Sequence, residues 1–80
     1  MTIYRKTKYI QFVIAHRKPK TVVINVINNG SSTILGQIAW YGAWRQYTFN
    51  PYPSTVFNNE CLKEIQDVLT DLNTEHKKGK

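Results

Sequence analysis

The densest chemistry in the chain lies between Trp40 and Pro53, a run that reads WYGAWRQYTFNPYP. It holds both tryptophans, three of the five tyrosines (Tyr41, Tyr47 and Tyr52), Arg45 and no acidic residue. Aromatic faces beside a guanidinium offer stacking platforms to nucleobases, each stack worth about 1–3 kcal/mol and tolerant of any base. The same side chains could instead close a hydrophobic core, because a domain of 80 residues needs large buried groups. Trp40, Tyr47 and Phe49 are the stronger candidates for the core, and Tyr41 and Trp44 for surface recognition.

Charge layout gives these aromatics a context. The formal net charge is +6, and residues 1–59 hold seven basic residues (Arg5, Lys6, Lys8, Arg17, Lys18, Lys20, Arg45) and no Asp or Glu. All five acids follow: Glu60, Glu64, Asp67, Asp71 and Glu75. A basic surface of this kind attracts phosphate backbones or acidic proteins; the plainer alternative is solubility. The candidate nucleic-acid-binding set is therefore Lys8, Arg17, Lys18 and Lys20 for phosphates, with Trp40, Tyr41, Trp44 and Arg45 for bases. The late acids could be a solvated helix face, could pair with a second protomer, or could mimic nucleic-acid charge toward a host protein.

Other chemistries find little support. His16 and His76 are far apart in the chain and neither has a second His or a Cys beside it, so a solvated or capping role outweighs metal binding. Cys61 falls on an apolar helical stripe, which suits a small buried hydrophobe better than a nucleophile lacking a base and an oxyanion site. No glycine-rich phosphate loop is present. We expect no enzyme activity, no catalytic residue, no metal ligand and no cofactor. A single cysteine cannot form an internal disulfide, which fits a reducing cytoplasm. Arg5, Lys6 and Lys8 interrupt any signal-peptide core, and no apolar run approaches the ~20 residues that span a bilayer.

The elements that must position these groups follow from periodicity. Residues 1–7 read as a loose basic arm. Lys8 to His16 alternates, with Ile10, Phe12 and Ile14 on one side and Gln11 and Val13 on the other. A basic turn at Arg17–Lys20 contains Pro19, which cannot donate to a ladder. Thr21 to Asn28 is the clearest strand, since Val22, Val23, Ile24, Val26 and Ile27 are β-branched. Asn29-Gly30 suits a tight hairpin turn with positive φ. A third strand is expected from Thr33 to Tyr41, with Ile34, Ile38 and Trp40 sharing a face. Gly36 within it marks a bulge or a close backbone approach. A turn at Gly42-Ala43 leads into a fourth strand, Trp44 to Asn50, which places Tyr47 and Phe49 toward the core and leaves Trp44 partly exposed. Pro51 and Pro53 end it.

Asn58 is a strong N-cap for a helix from Asn59 to His76. Its apolar stripe is Cys61, Leu62, Ile65, Val68, Leu69 and Leu72, with the five acids forming a second stripe beside it. Residues 77–80 read as a frayed basic tail. One α+β domain results: a four-stranded antiparallel β-meander with a C-terminal amphipathic helix on one face. Its core is thin, which favours a homodimer or a bound partner.

The string WYGAWRQYTFNPYPSTVFNNECLKEI resembles a run shared by small phage and prophage proteins, with the pattern WYxxWRxYxFxP, then TxF and CL. The likeness covers residues 38–65 and implies a phage origin, the cytoplasm of an infected or lysogenic bacterium, and a meander closed by one helix. The order of elements is also similar to the single-stranded-DNA-binding coactivator fold of the positive-cofactor-four type. That analogy implies a helix that pairs protomers and strands that grip nucleic acid, and no residue carries over from it. The function expected is nucleic-acid binding, single-stranded and with little sequence selectivity. The alternative is a phage protein that binds and modulates a host protein such as a defence component. A small structural or assembly factor is a third class.

Overall fold

β-branched and aromatic residues concentrate in the first 50 positions, and the chain answers with a sheet. In the structure, a computed structural model that describes residues 2–78, five strands form one antiparallel meander in the order β1-β2-β3-β4-β5. They are β1 (Thr2–Lys6), β2 (Ile10–Arg17), β3 (Val22–Asn28), β4 (Ile34–Tyr41) and β5 (Gln46–Pro51), followed by α1 (Asn59–Lys78). The α+β class and the single C-terminal helix are as expected, whereas the sheet has five strands where four were expected.

The extra strand is the supposed basic arm. Thr2, Ile3 and Tyr4 have strong strand preference, and β1 pairs along the free side of β2, with Ile3 opposite Val13 and Lys6 opposite Gln11. Two side-chain links fasten it to the helix: Arg5 forms an ion pair with Asp71, and the Thr7 hydroxyl bonds the Glu64 carboxylate. Arg5, one of the charges that suggested a loose arm, thus meets the acidic stripe of the helix.

Helix and sheet enclose one core. Phe12, Ile10, Ile24, Ile38, Val26 and Val68 are fully buried, joined by Leu35, Tyr47, Cys61, Ile65 and Leu72. Burying each such aliphatic or aromatic group stabilises the fold by roughly 1.5–3 kcal/mol. Ile14, Phe49, Trp40 and Leu69 pack against the same cluster, half-buried. Leu62, assigned to the apolar stripe from spacing alone, is 51% exposed. The sheet covers a narrower arc of the helix than the stripe spans, and the contact follows Cys61, Ile65, Val68 and Leu72.

Bulges decide which residues face that core. A register shift between Val26 and Ile27 pairs Val26 with Gly36 and Ile27 with Ile34. Leu35 takes the buried position, and Ile34 turns to the open face at 38% exposure, against the expectation that it shares a face with Ile38 and Trp40. Gly36 lies where the backbones crowd: a Cβ there would stand 2.5 Å from the Asn50 carbonyl oxygen and 2.9 Å from both Phe49 and Pro51. A second shift, between Ile14 and His16, bends the end of β2.

The connections also correct the simple hairpin readings. At the β3–β4 turn no glycine has positive φ; Ser32 does (60°), and the Asn28 side chain accepts bonds from the Gly30 and Ser31 amides at 2.8 and 3.1 Å. The β4–β5 turn spans residues 42–45, so Trp44 and Arg45 are turn residues rather than the start of a strand. Asn58 caps α1 as expected, its Oδ1 accepting the Cys61 N–H at 2.8 Å. The helix takes in Lys77 and Lys78 as its last turn, while Gly79 and Lys80 of the expected tail lie outside the described residues.

Candidate nucleic-acid interface

Antiparallel strands and a returning helix bring three chain segments to one end of the molecule. The end of β2 and the β2–β3 turn supply Arg17, Lys18 and Lys20; the β4–β5 turn supplies Trp44 and Arg45; the last turn of α1 supplies His76, Lys77 and Lys78. Trp40 and Tyr41 close β4 at the same end. Seven of the eight sequence-selected residues meet here. Lys8 does not: it sits in the β1–β2 turn at the opposite end, with its ammonium 5.2 Å from the centre of the Tyr9 ring.

Tyr47 anchors this end. It is 5% exposed, and its hydroxyl accepts the Val22 N–H at 3.2 Å. Its own N–H, on the outer edge of β5, donates to Asn73 Oδ1 at 2.7 Å. Trp40 meets Tyr47 edge-on at 5.5 Å and lies against the His76 ring at 4.3 Å with a 34° tilt. Trp40 is therefore half committed to packing, as the core reading of that residue anticipated. Trp44 is not: it is 66% exposed and touches Tyr41 edge-on at 5.2 Å. That turn is held by bonds from the Trp44 and Arg45 amides to the Tyr41 and Gly42 carbonyls, with Arg45 in the left-handed region at φ 54°.

Three depressions run together across this end. A cleft of about 300 Å³ is bounded by Arg17, Lys18, Lys20 and His76, with Glu75 its one carboxylate. His76 also borders a second cleft of about 300 Å³, shared with Trp40, Trp44, Arg45, Gln46, Asn73 and Lys77, which contains no acid. Trp44, Gln46 and Asn73 in turn border an uncharged groove of about 430 Å³ between α1 and β5. On the far flank a cleft of about 390 Å³ is lined by Glu60, Glu64 and Asp67 with Arg5, Lys63 and Thr7, and its carboxylates would repel phosphate.

Sequence reasoning missed Asn73, His76 and Lys77 as members of the site. The signal was present: Leu69, Asn73 and His76 continue the packed helix face by further turns, at spacings of four and three. The titration behaviour of the β1 flank follows from its contacts. Bonding to Asp71 raises the Arg5 pKa further, so it stays charged, and burial raises that of the Tyr4 phenol.

A protein of Acholeplasma phage L2, described only as an uncharacterized 9.3 kDa protein, is 36% identical over 74 residues, covering 91% of this chain and 95% of that relative. The chain belongs to the family of this phage protein. The likeness to this phage relative extends over nearly the full length of both chains. No protein-family model and no solved structure matches the chain. No helix among the described residues of this phage-family chain is long and apolar enough to cross a membrane.

Proposed function

We propose that the protein binds single-stranded nucleic acid with little overall sequence selectivity, in the cytoplasm of the host cell. The observation that carries this reading is that Arg17, Lys18, Lys20, Arg45, Lys77 and Lys78 come to the end of the molecule that carries the exposed Trp44, with Arg45 and Lys77 lining the same cleft as that indole. Cations on the rim attract phosphates, and the exposed indole offers a face on which an unpaired base can stack. The acids lie mainly along another flank, where Arg5 and Thr7 engage Asp71 and Glu64, so the basic end is largely undiluted.

Fluorescence anisotropy with a labelled oligonucleotide at several salt concentrations tests the reading. Affinity should fall with salt, with a log–log slope of about −0.7 for each phosphate neutralised on a single strand. Lys18→Ala should weaken binding to all sequences and flatten the slope. Trp44→Ala should weaken binding with the slope nearly unchanged, because stacking releases few ions. Lys8→Ala, at the other end, should do little. No binding at low salt, or equal effects from Lys8 and Lys18, would remove the proposal.

A second reading is a host-protein contact that modulates a defence component. It is favoured by Tyr52, Val56 and Leu62, exposed at 42%, 87% and 51% along the β5–α1 connection and first helical turns, away from the basic end. Self-association is a third kind of contact: Ile3 and Ile34 stand exposed on the open face of the sheet, and covering that face would thicken a small core. Sedimentation velocity at about tens of micromolar, a range suited to modest affinity, reads the oligomeric state.

A further inference from the structure

The acid-free cleft offers more than charge. Asn73 lines it and borders the adjoining groove as well, and its amide is oriented by chemistry: the Tyr47 backbone N–H can only donate, so the amide oxygen must face it, at 2.7 Å. By elimination the amide NH₂ is turned away from β5, and it has no protein acceptor among the described residues. Lys77 and Arg45, whose polar groups only donate, line the same cleft with Trp44, whose indole offers a ring face. Gln46 brings a side-chain carbonyl besides that of Asn73, which Tyr47 already engages. At about 300 Å³ the cleft lies at the small end of ligand sites.

Resting on the nucleic-acid reading, we propose that this cleft is a subsite for one nucleobase bearing exocyclic carbonyl oxygens, thymine or uracil above all, and that it disfavours adenine. Trp44 stacks on the base, the Asn73 NH₂ donates to a base carbonyl, and Arg45 and Lys77 hold the adjoining phosphate. Adenine presents an amino donor where the pyrimidine presents oxygen, so the Asn73 NH₂ would face another donor and lose its bond. Binding along the rest of the strand stays indifferent to sequence, and preference arises at this one position.

Competition by tetrathymidylate, tetrauridylate and tetraadenylate against a labelled oligonucleotide at low salt tests the subsite, with the Asn73→Asp variant as the decisive comparison. Aspartate keeps an oxygen for the Tyr47 N–H, so the fold is retained, but it replaces the NH₂ donor with an acceptor. Wild-type protein should prefer thymidylate or uridylate over adenylate by about 3- to 10-fold, the size of one hydrogen bond. In Asn73→Asp the affinity for every ligand falls through added charge, and the ratio should collapse toward one. Tetradeoxyuridylate and tetrauridylate, which share a base and differ in the sugar, should bind alike; a large gap between them assigns the recognition to the sugar and overturns the subsite. Oligonucleotide binding without base preference, or a preference that survives Asn73→Asp, overturns the subsite and leaves single-strand binding standing. No binding by any oligonucleotide removes both.

Discussion

Asn73 of the helix accepts the backbone N–H of Tyr47 at 2.7 Å, so a side chain on α1 serves as the missing neighbour for the outer edge of β5. An edge strand otherwise turns such amides toward solvent or toward another chain. Here the bond fixes the helix over the end of the sheet where Trp40, Trp44 and Lys77 gather. Asn73→Ala should lower stability by about 1–3 kcal/mol, because a half-buried donor loses its partner. Asn73→Asp should lower it by less. Urea denaturation of the two variants compares them directly; equal losses would show that the bond to Tyr47 does not carry the effect.

Gly36 is required by contact rather than by backbone angle. A methyl group at this position meets the Asn50 carbonyl at 2.5 Å and the Phe49 ring and Pro51 Cα at 2.9 Å. Two of the three are backbone atoms that cannot rotate away. Gly36→Ala should therefore push β4 from β5 and cost about 1–3 kcal/mol or more. A melting temperature unchanged from wild type would mean that β5 does not approach β4 this closely.

Helix contacts are graded by exposure, not by apolar character. Val68 is 0% exposed and Leu62 is 51% exposed. Val68→Ala should cost on the order of 2 kcal/mol, from lost burial and the cavity left behind. Leu62→Ala, although it deletes a larger side chain, should stay within about 0.5 kcal/mol, as surface changes do. Thermal or chemical unfolding reads both. A larger loss for Leu62 would indicate that a partner surface or second copy covers that turn.

Arg45 combines a strained backbone with a role in the basic end. Its φ of 54° lies in the left-handed region, where a residue with a Cβ is disfavoured by about 1–2 kcal/mol relative to glycine. Arg45→Gly should leave stability equal or slightly higher while weakening oligonucleotide binding and flattening its salt dependence. The opposite signs in folding and binding separate a positional role from a structural one. A loss of stability with binding intact would assign Arg45 to the turn alone.

Much of the secondary structure could be read directly. The β-branched run Val22–Ile27, the Asn58 cap and the regular return of Cys61, Ile65, Val68 and Leu72 each report a local preference, and each element forms where that preference points. Gly36 likewise marked a crowded backbone before any neighbour was known. The misreadings cluster where a distant partner outweighs the local signal. Arg5 and Lys6 suggested a solvated arm, yet β2 offered a free edge and Asp71 a counter-charge, 66 positions along the chain from Arg5. Leu35 rather than Ile34 entered the core because a bulge shifted the register by one residue, which no alternation pattern announces.

The sequence by itself determined the elements, the separation of basic from acidic residues and the clustering of aromatics between Trp40 and Tyr52, because these depend on local preference and residue order. Only the tertiary structure decided which aromatic is free and which charges are neighbours. Trp40 and Trp44 are four positions apart, yet one packs on Tyr47 and His76 and the other stands 66% exposed. Lys18, Arg45 and Lys77 come from three distant segments and meet because antiparallel strands return to one end and a 20-residue helix, about 30 Å long, runs back to it. Lys8, close to them in sequence character, is carried to the opposite end by the same alternation of strand direction.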